Sequence, residues 1–128
     1  MSPRTVVGRV CLCIVALFVG PGAYFFDFNE THVYNPRWPP HARFHNGQTM
    51  SMGLYIAIAM MYFTWKQKPE PWIAALFSCA YWVSGLSAIL YPGALFADPE
   101  FPAGPPQKYI FSGMIGITWL GCWLMREK

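Results

Sequence analysis

Four apolar runs with no charge in their middles constrain this chain more than any other feature: residues 6–28, 49–65, 72–91 and 109–125. A hydrocarbon layer about 30 Å thick takes roughly 20 mostly apolar residues of helix. A charged side chain at its centre is costly, which matches where the charges are missing. Only 12% of the 128 residues are charged and 55% are apolar, against roughly 25% charged in an average soluble domain. A chain this short exposes much of its surface, and in water that surface needs more charge. The expected fold is therefore all-α, an integral membrane four-helix bundle that forms one domain over residues 1–128. This composition argues against a soluble globular domain, a disordered tail and a secreted disulfide scaffold. The net charge of +3, with no basic patch interleaved with aromatics, argues against a nucleic-acid partner. The partners expected instead are the lipid bilayer and a lipophilic small molecule.

Boundary residues agree with this count. Pro69 and Pro71 bracket a tight turn after Lys66 and Lys68, and proline at a helix start costs little. Trp65, Trp72, Tyr91, Tyr109 and Trp123 fall near span ends, as an aromatic belt places them. With four spans, both termini and the turn at 66–71 share one side. That side holds Arg4, Arg9, Lys66, Lys68, Arg126 and Lys128 against Glu70 and Glu127. The other side holds Arg37, Arg43 and Lys108 against Asp27, Glu30, Asp98 and Glu100. The basic excess predicts cytoplasmic termini, in the endoplasmic reticulum or a bacterial inner membrane. A cleaved signal peptide is the competing reading of the first run, with Arg4 and Arg9 as its basic start and Gly20, Gly22 and Ala23 as small residues. The run continues through Tyr24, Phe25 and Phe26, which favours a span.

Cys11, Cys13, Cys79 and Cys122 all fall inside the runs, at spacings that fit no zinc pattern. They read as small packing residues. Ser112, Gly113, Gly116 and Gly121, together with Ser84 and Ala88, are expected to let helix backbones approach within the bundle. The same surfaces would suit a homodimer or a partner membrane enzyme. Tyr81 is expected to hydrogen-bond a neighbouring helix. The proline-rich segment from Pro92 to Lys108 reads as a stiff connector rather than a lid.

The candidate chemistry lies between Asp27 and Gln48. This stretch holds all three histidines, His32, His41 and His45, and two of the six acidic residues. A plain connector needs only a few residues, and a long loop dense in polar groups is where function often resides. Asn35-Pro36 and Trp38-Pro39 force extended backbone, and Pro40 can open the next helix. On that helix His41, His45 and Gln48 share a face. They sit at an N-terminus whose dipole disfavours imidazolium and favours a bound anion. A turn of helix past Phe28 would put Asp27 and Glu30 on one face, beyond a kink at Pro21.

Three readings stay open. In the leading one, His41 and His45 act as base and orienting group and Glu30 or Asp27 as acid, with His32 a further candidate. Histidine works near pH 7, and a carboxylate at a low-dielectric mouth is raised toward that range. Such a site needs no organic cofactor or metal, and it isomerises, hydrates or cyclises an isoprenoid-, sterol- or polyketide-like molecule. In the second, Glu30, His32, His41 and His45 hold a metal. In the third, the loop is structural, Arg37 and Arg43 pair with Asp27, Glu30 or lipid phosphate, and the protein is a non-catalytic accessory or scaffold.

The run Asn35-Pro36-Arg37-Trp38-Pro39-Pro40-His41-Ala42-Arg43-Phe44-His45-Asn46-Gly47-Gln48, with Glu30-Thr31-His32 before it, resembles the loop of small, largely uncharacterised four-span membrane proteins of fungi and bacteria. That resemblance implies the four-span layout and assigns no catalytic residue. The size and the polar mouth are similar to those of sterol-isomerase-like membrane proteins, in architecture only.

Overall fold

Proline opens four of the helices in the computed structural model, which describes residues 1–100 and 107–126. Helix α1 spans Pro3–Val19, α2 Pro21–Asp27, α3 Pro40–Trp65, α4 Pro71–Ser87 and α5 Gln107–Leu124. Proline lacks an N–H that the first turn would leave unpaired anyway, and its fixed φ suits a helix start. Ser2 completes the first of these starts, its Oγ accepting from Thr5 N–H at 3.2 Å. All regular structure among the described residues is helical. Residues 101–106 of the proline-rich segment, and Glu127 and Lys128 of the charge distribution, lie outside the described residues.

Pro21 divides the first apolar run. Its ring opposes the carbonyl one turn back, so α1 stops at Val19 and Gly20 adopts φ −90°, ψ −91° before α2 begins. The expected turn past Phe28 does not form. Asn29 takes its place, with Nδ2 donating to Phe26 O at 2.8 Å and Oδ1 accepting from Thr31 N–H at 2.8 Å. An asparagine side chain that bonds the local backbone in this way competes with helix.

The other boundaries follow the proline logic closely. Helix α3 starts at Pro40 and runs 26 residues, about 39 Å at 1.5 Å per residue. After α4, one 3₁₀ turn at Ala88–Leu90 carries the chain to Tyr91, which is extended at φ −81°, ψ 143° as the residue before Pro92 must be.

Helices α1, α3, α4 and α5 form a ring in chain order, each packed on its two neighbours, with α5 closing against α1. Leu12, Val15, Val19 and Met60 fill its centre with no exposed surface. Small residues set the closest approaches. A Cβ on Gly8 would stand 2.8 Å from Gly121 O, and a Cβ on Gly121 would stand 2.9 Å from Gly8 O. A Cβ on Gly53 would collide with Val19 O. Ser78 and Thr118, fully buried, join α4 to α5 through a 2.7 Å hydroxyl contact. Ser112, Gly113 and Gly116 behave differently from expectation. They are exposed on α5, with open space around both glycines, because the face of α5 that meets α1 and α4 carries Met114, Thr118 and Gly121 instead. The four cysteines are free thiols.

Large apolar side chains lie mostly outside this ring. Leu17, Tyr55, Ile58, Tyr62, Leu76 and Trp123 are among those exposed. Two stretches, Pro3–Asp27 and Pro71–Leu90, are long and apolar enough to cross a membrane.

Candidate functional site

The two long loops meet at one end of the ring and are clasped together there. Asn35, only 2% exposed, is the centre of the clasp. Its Nδ2 donates to Glu100 Oε1 at 3.1 Å, its Oδ1 accepts from Arg37 N–H at 3.0 Å, and its carbonyl accepts from the Arg43 guanidinium at 2.7 Å. Arg37 forms an ion pair with Glu100, and Trp38 Nε1 donates to Asp98 Oδ2 at 3.2 Å. Arg37 and Arg43 therefore pair with Glu100 and the Asn35 carbonyl, not with Asp27 or Glu30 as the structural reading of the sequence had it. Pro36, Pro39 and Pro40 stiffen the backbone between these groups.

Beneath the clasp lies a cavity of about 540 Å³. Its apolar wall includes Phe18, Phe26, Trp82, Ile110 and Phe111. Leu95, Phe96, Ala97 and Asp98 of the second loop complete it, so that segment is a wall of the site and not a plain connector. Asp27, Thr31, His32, Trp38 and Tyr81 supply the polar part.

Asp27 ends α2, and His32 stands beside it in the loop, with Nδ1 3.9 Å from Asp27 Oδ1. A hydrogen-bond chain sets the histidine tautomer. Asn29 Nδ2 donates to Phe26 O, so Asn29 Oδ1 is the acceptor, and Thr31 Oγ1 donates to it at 2.6 Å. Thr31 Oγ1 then accepts at 2.7 Å from His32, which puts the proton of the neutral ring on Nδ1 and leaves Nε2 as the basic nitrogen. The ring is held edge-on to Trp38, centroids 4.9 Å apart. Asp27 is fixed from α3, because its Oδ2 accepts from Asn46 Nδ2 at 2.9 Å. The carboxylate is thus anchored from α3, and the imidazole from within its own loop.

The other sequence candidates stand elsewhere. His41 and His45 share a face as expected, with Nε2 atoms 3.0 Å apart and His45 Nδ1 3.2 Å from Gln48 Oε1. Both are exposed and neither lines the cavity. The reason is register. Met50, Gly53 and Ala57 turn α3 inward, Asn46 lies one turn before Met50 on that side, and the His41–His45 stripe falls on the outer face. Glu30 is exposed in the turn after α2 and does not line the cavity. Among the described residues, no group of three or more His, Cys, Asp or Glu stands together as a metal site.

Three residues of the candidate site were not among the candidates the sequence offered. Trp38 and Asp98 bridge the loops, and Trp82 is a buried aromatic facing the same cavity. Only Trp38 carried a signal, its place between two X-Pro steps. A larger depression of about 1140 Å³ at the opposite end of the ring is lined by Arg9, Lys68, Trp72, Trp119 and Arg126 among others. Among the described residues it contains no carboxylate–imidazole pair, so the smaller cavity is the candidate site.

Residues 11–128 match a family described as a family of unknown function, DUF6640. No curated protein and no solved structure matches the chain.

Proposed function

The chain belongs to the DUF6640 family of unknown function, and we propose that it is a multi-pass membrane enzyme that moves a proton on a lipophilic molecule. The observation that carries this reading is the Asp27–His32 pair set in a cavity whose wall is largely aromatic and aliphatic. His32 Nε2 is the base that takes a proton from the substrate, and Asp27 stabilises the imidazolium that forms. Returning the proton to a neighbouring carbon shifts a double bond; delivering it to an alkene or epoxide starts hydration or cyclisation. An apolar wall strengthens each of these electrostatic effects by excluding water. The substrate class is an isoprenoid-, sterol- or polyketide-like molecule of a biosynthetic pathway.

The membrane setting is supported by the distribution of side chains. Glycine, alanine, serine and threonine meet between helices, and large apolar residues face outward. That is the arrangement of a bundle whose surroundings are as apolar as leucine. The basic excess at the termini and the 66–71 turn supports cytoplasmic termini, with the clasped loops on the lumenal or external side. The likeness of the 35–48 loop to those of small four-span membrane proteins is consistent with this layout.

The test is a comparison of lipid extracts from cells that carry the gene, lack it, or carry a variant. The metabolite lost on deletion should also be lost with Asp27→Asn and with His32→Gln at unchanged protein level. It should persist with His41→Ala and Glu30→Gln. Full production by both cavity variants refutes the enzyme reading and leaves the accessory one, in which the clasped loops hold a partner.

A further inference from the structure

His41 and His45 are the histidines that the cavity leaves unused, and both stand exposed in the first two turns of α3. Their Nε2 atoms are 3.0 Å apart while their ring centroids are 4.5 Å apart, so the two nitrogens lie on the facing edges of the rings. Gln48, three residues further on, fixes the proton of one ring. Its amide Oε1 can only accept, so His45 Nδ1 donates to it across 3.2 Å and His45 Nε2 carries a lone pair. His41 Nε2 then donates its own proton into that lone pair. A metal ion can replace this single hydrogen once His41 takes its other neutral tautomer, with the proton on Nδ1.

The spacing selects the kind of ion. With metal–nitrogen bonds of about 2.0–2.1 Å, two nitrogens 3.0 Å apart subtend about 91–97° at the metal. Tetrahedral coordination would hold the same two nitrogens about 3.3–3.4 Å apart. An angle of about 90° belongs to adjacent positions of a square-planar or tetragonal ion, and imidazole nitrogen with water oxygen in that geometry suits copper(II). Copper(II) is also the tightest binder among the first-row divalent ions. A ligating histidine commonly donates its other ring N–H to a fixed acceptor, and Gln48 Oε1 is that acceptor for His45. The start of α3 acts in two ways. Its dipole disfavours imidazolium, and only neutral imidazole ligates a metal. The same dipole opposes the charge of the ion, so the ion is held only where both nitrogens coordinate it together.

We propose that His41 and His45 form a bidentate site for copper(II), with Gln48 Oε1 orienting His45 and water at the remaining positions of the ion. The site lies outside the cavity, and the ion takes no part in the proton chemistry proposed for Asp27 and His32. Its effect is on the helix. A chelate between residues four apart fastens the start of α3, the stretch from which Asn46 holds Asp27.

The experiment titrates the full chain, without an affinity tag and with its accessible thiols alkylated, with Cu2+ in lipid nanodiscs and follows it by electron paramagnetic resonance. The unaltered chain should take up one ion whose spectrum shows two equatorial nitrogens. Glu30→Gln and His32→Gln should leave that signal unchanged. Two ligands on one helix face act at high effective concentration, so His41→Ala and His45→Ala should each weaken uptake at least about tenfold. Both histidines are exposed, so their replacement leaves the packing of the bundle alone. Gln48→Leu should weaken uptake about tenfold while the two-nitrogen spectrum is kept, and Gln48→Glu, which retains an acceptor for His45 Nδ1, should restore it. Equimolar Zn2+ should not displace the copper. A two-nitrogen signal that survives either histidine replacement, a spectrum with fewer than two nitrogens, displacement by equimolar Zn2+, or no uptake overturns the proposal.

Discussion

Gly121 and Gly116 lie five residues apart on α5, and the same substitution at each should have opposite effects. A Cβ on Gly121 would stand 2.9 Å from Gly8 O, 3.0 Å from Cys11 Cβ and 3.1 Å from Leu12 Cγ, all on the facing helix. Ordinary contacts begin near 3.4 Å, so α1 and α5 must part by about half an ångström along their closest approach. Forcing a methyl group into such a packed contact costs about 1–3 kcal/mol. A Cβ on Gly116 meets nothing within 4 Å. Gly→Ala inside a helix gains up to about 1 kcal/mol from backbone propensity, and that gain is common to both sites. The propensity term cancels in the comparison, so Gly121→Ala should be less stable than Gly116→Ala by about 1–3 kcal/mol. Equilibrium unfolding of both variants in one detergent or lipid mixture measures the difference. Equal stability of the two would refute the packing of α1 on α5 through Gly8 and Gly121, and with it the closure of the helix ring.

Other consequences are open to test. Asn35→Ala removes the side-chain bonds to Glu100 and to Arg37 N–H; it should destabilise the paired loops by about 1–3 kcal/mol, read as faster cleavage by an added protease near residues 36 and 98. Ser78→Ala should cost little, because Thr118 Oγ1 keeps its 2.7 Å bond to Met114 O; the coupling in a Ser78→Ala, Thr118→Val cycle should be about 0.6 kcal/mol, and several times that value would mean the pair carries more of the α4–α5 contact than its geometry implies. For orientation, a cysteine at exposed Gln48 in a chain cleared of its own thiols should react with an impermeant reagent from the lumenal or external side, and one at exposed Gln67 from the cytoplasmic side; the reverse pattern overturns the proposed topology.

The helical layout was largely legible in the sequence because proline and charge mark its boundaries. Pro21 announced the break, Pro40 the start of α3, and Lys66 to Pro71 the turn before α4. The site was half legible. Concentrating attention on residues 27–48 captured Asp27 and His32, yet the pairing given most weight, His41 with His45, faces outward. Helical spacing fixes which residues share a face and does not fix which face meets the bundle. That choice was made by Met50, Gly53 and Ala57 further along α3. The contributions of Trp82, Phe111 and Asp98 were not readable, since their meeting with Asp27 depends on tertiary packing of segments far apart in the chain. The exposed setting of Ser112 and Gly116 shows the same gap: small residues at helical spacing mark a smooth surface and do not say what it touches.

The clasp joins residues that are far apart along the chain: Asn35 bonds a partner 65 positions away, and Trp38 one 60 positions away. The acidic and imidazole groups come from the first third of the sequence, and much of the apolar lining from the last half. A chain interrupted after α3 would carry Asp27 and His32 without Trp82, Phe111 and the second loop, and so with no chamber around them. Closing such long loops carries an entropic cost that is recovered only when these contacts form, so the chamber exists only in a chain whose two loops have met. For the proposed enzyme this withholds the pair from a lipophilic guest in every incomplete species.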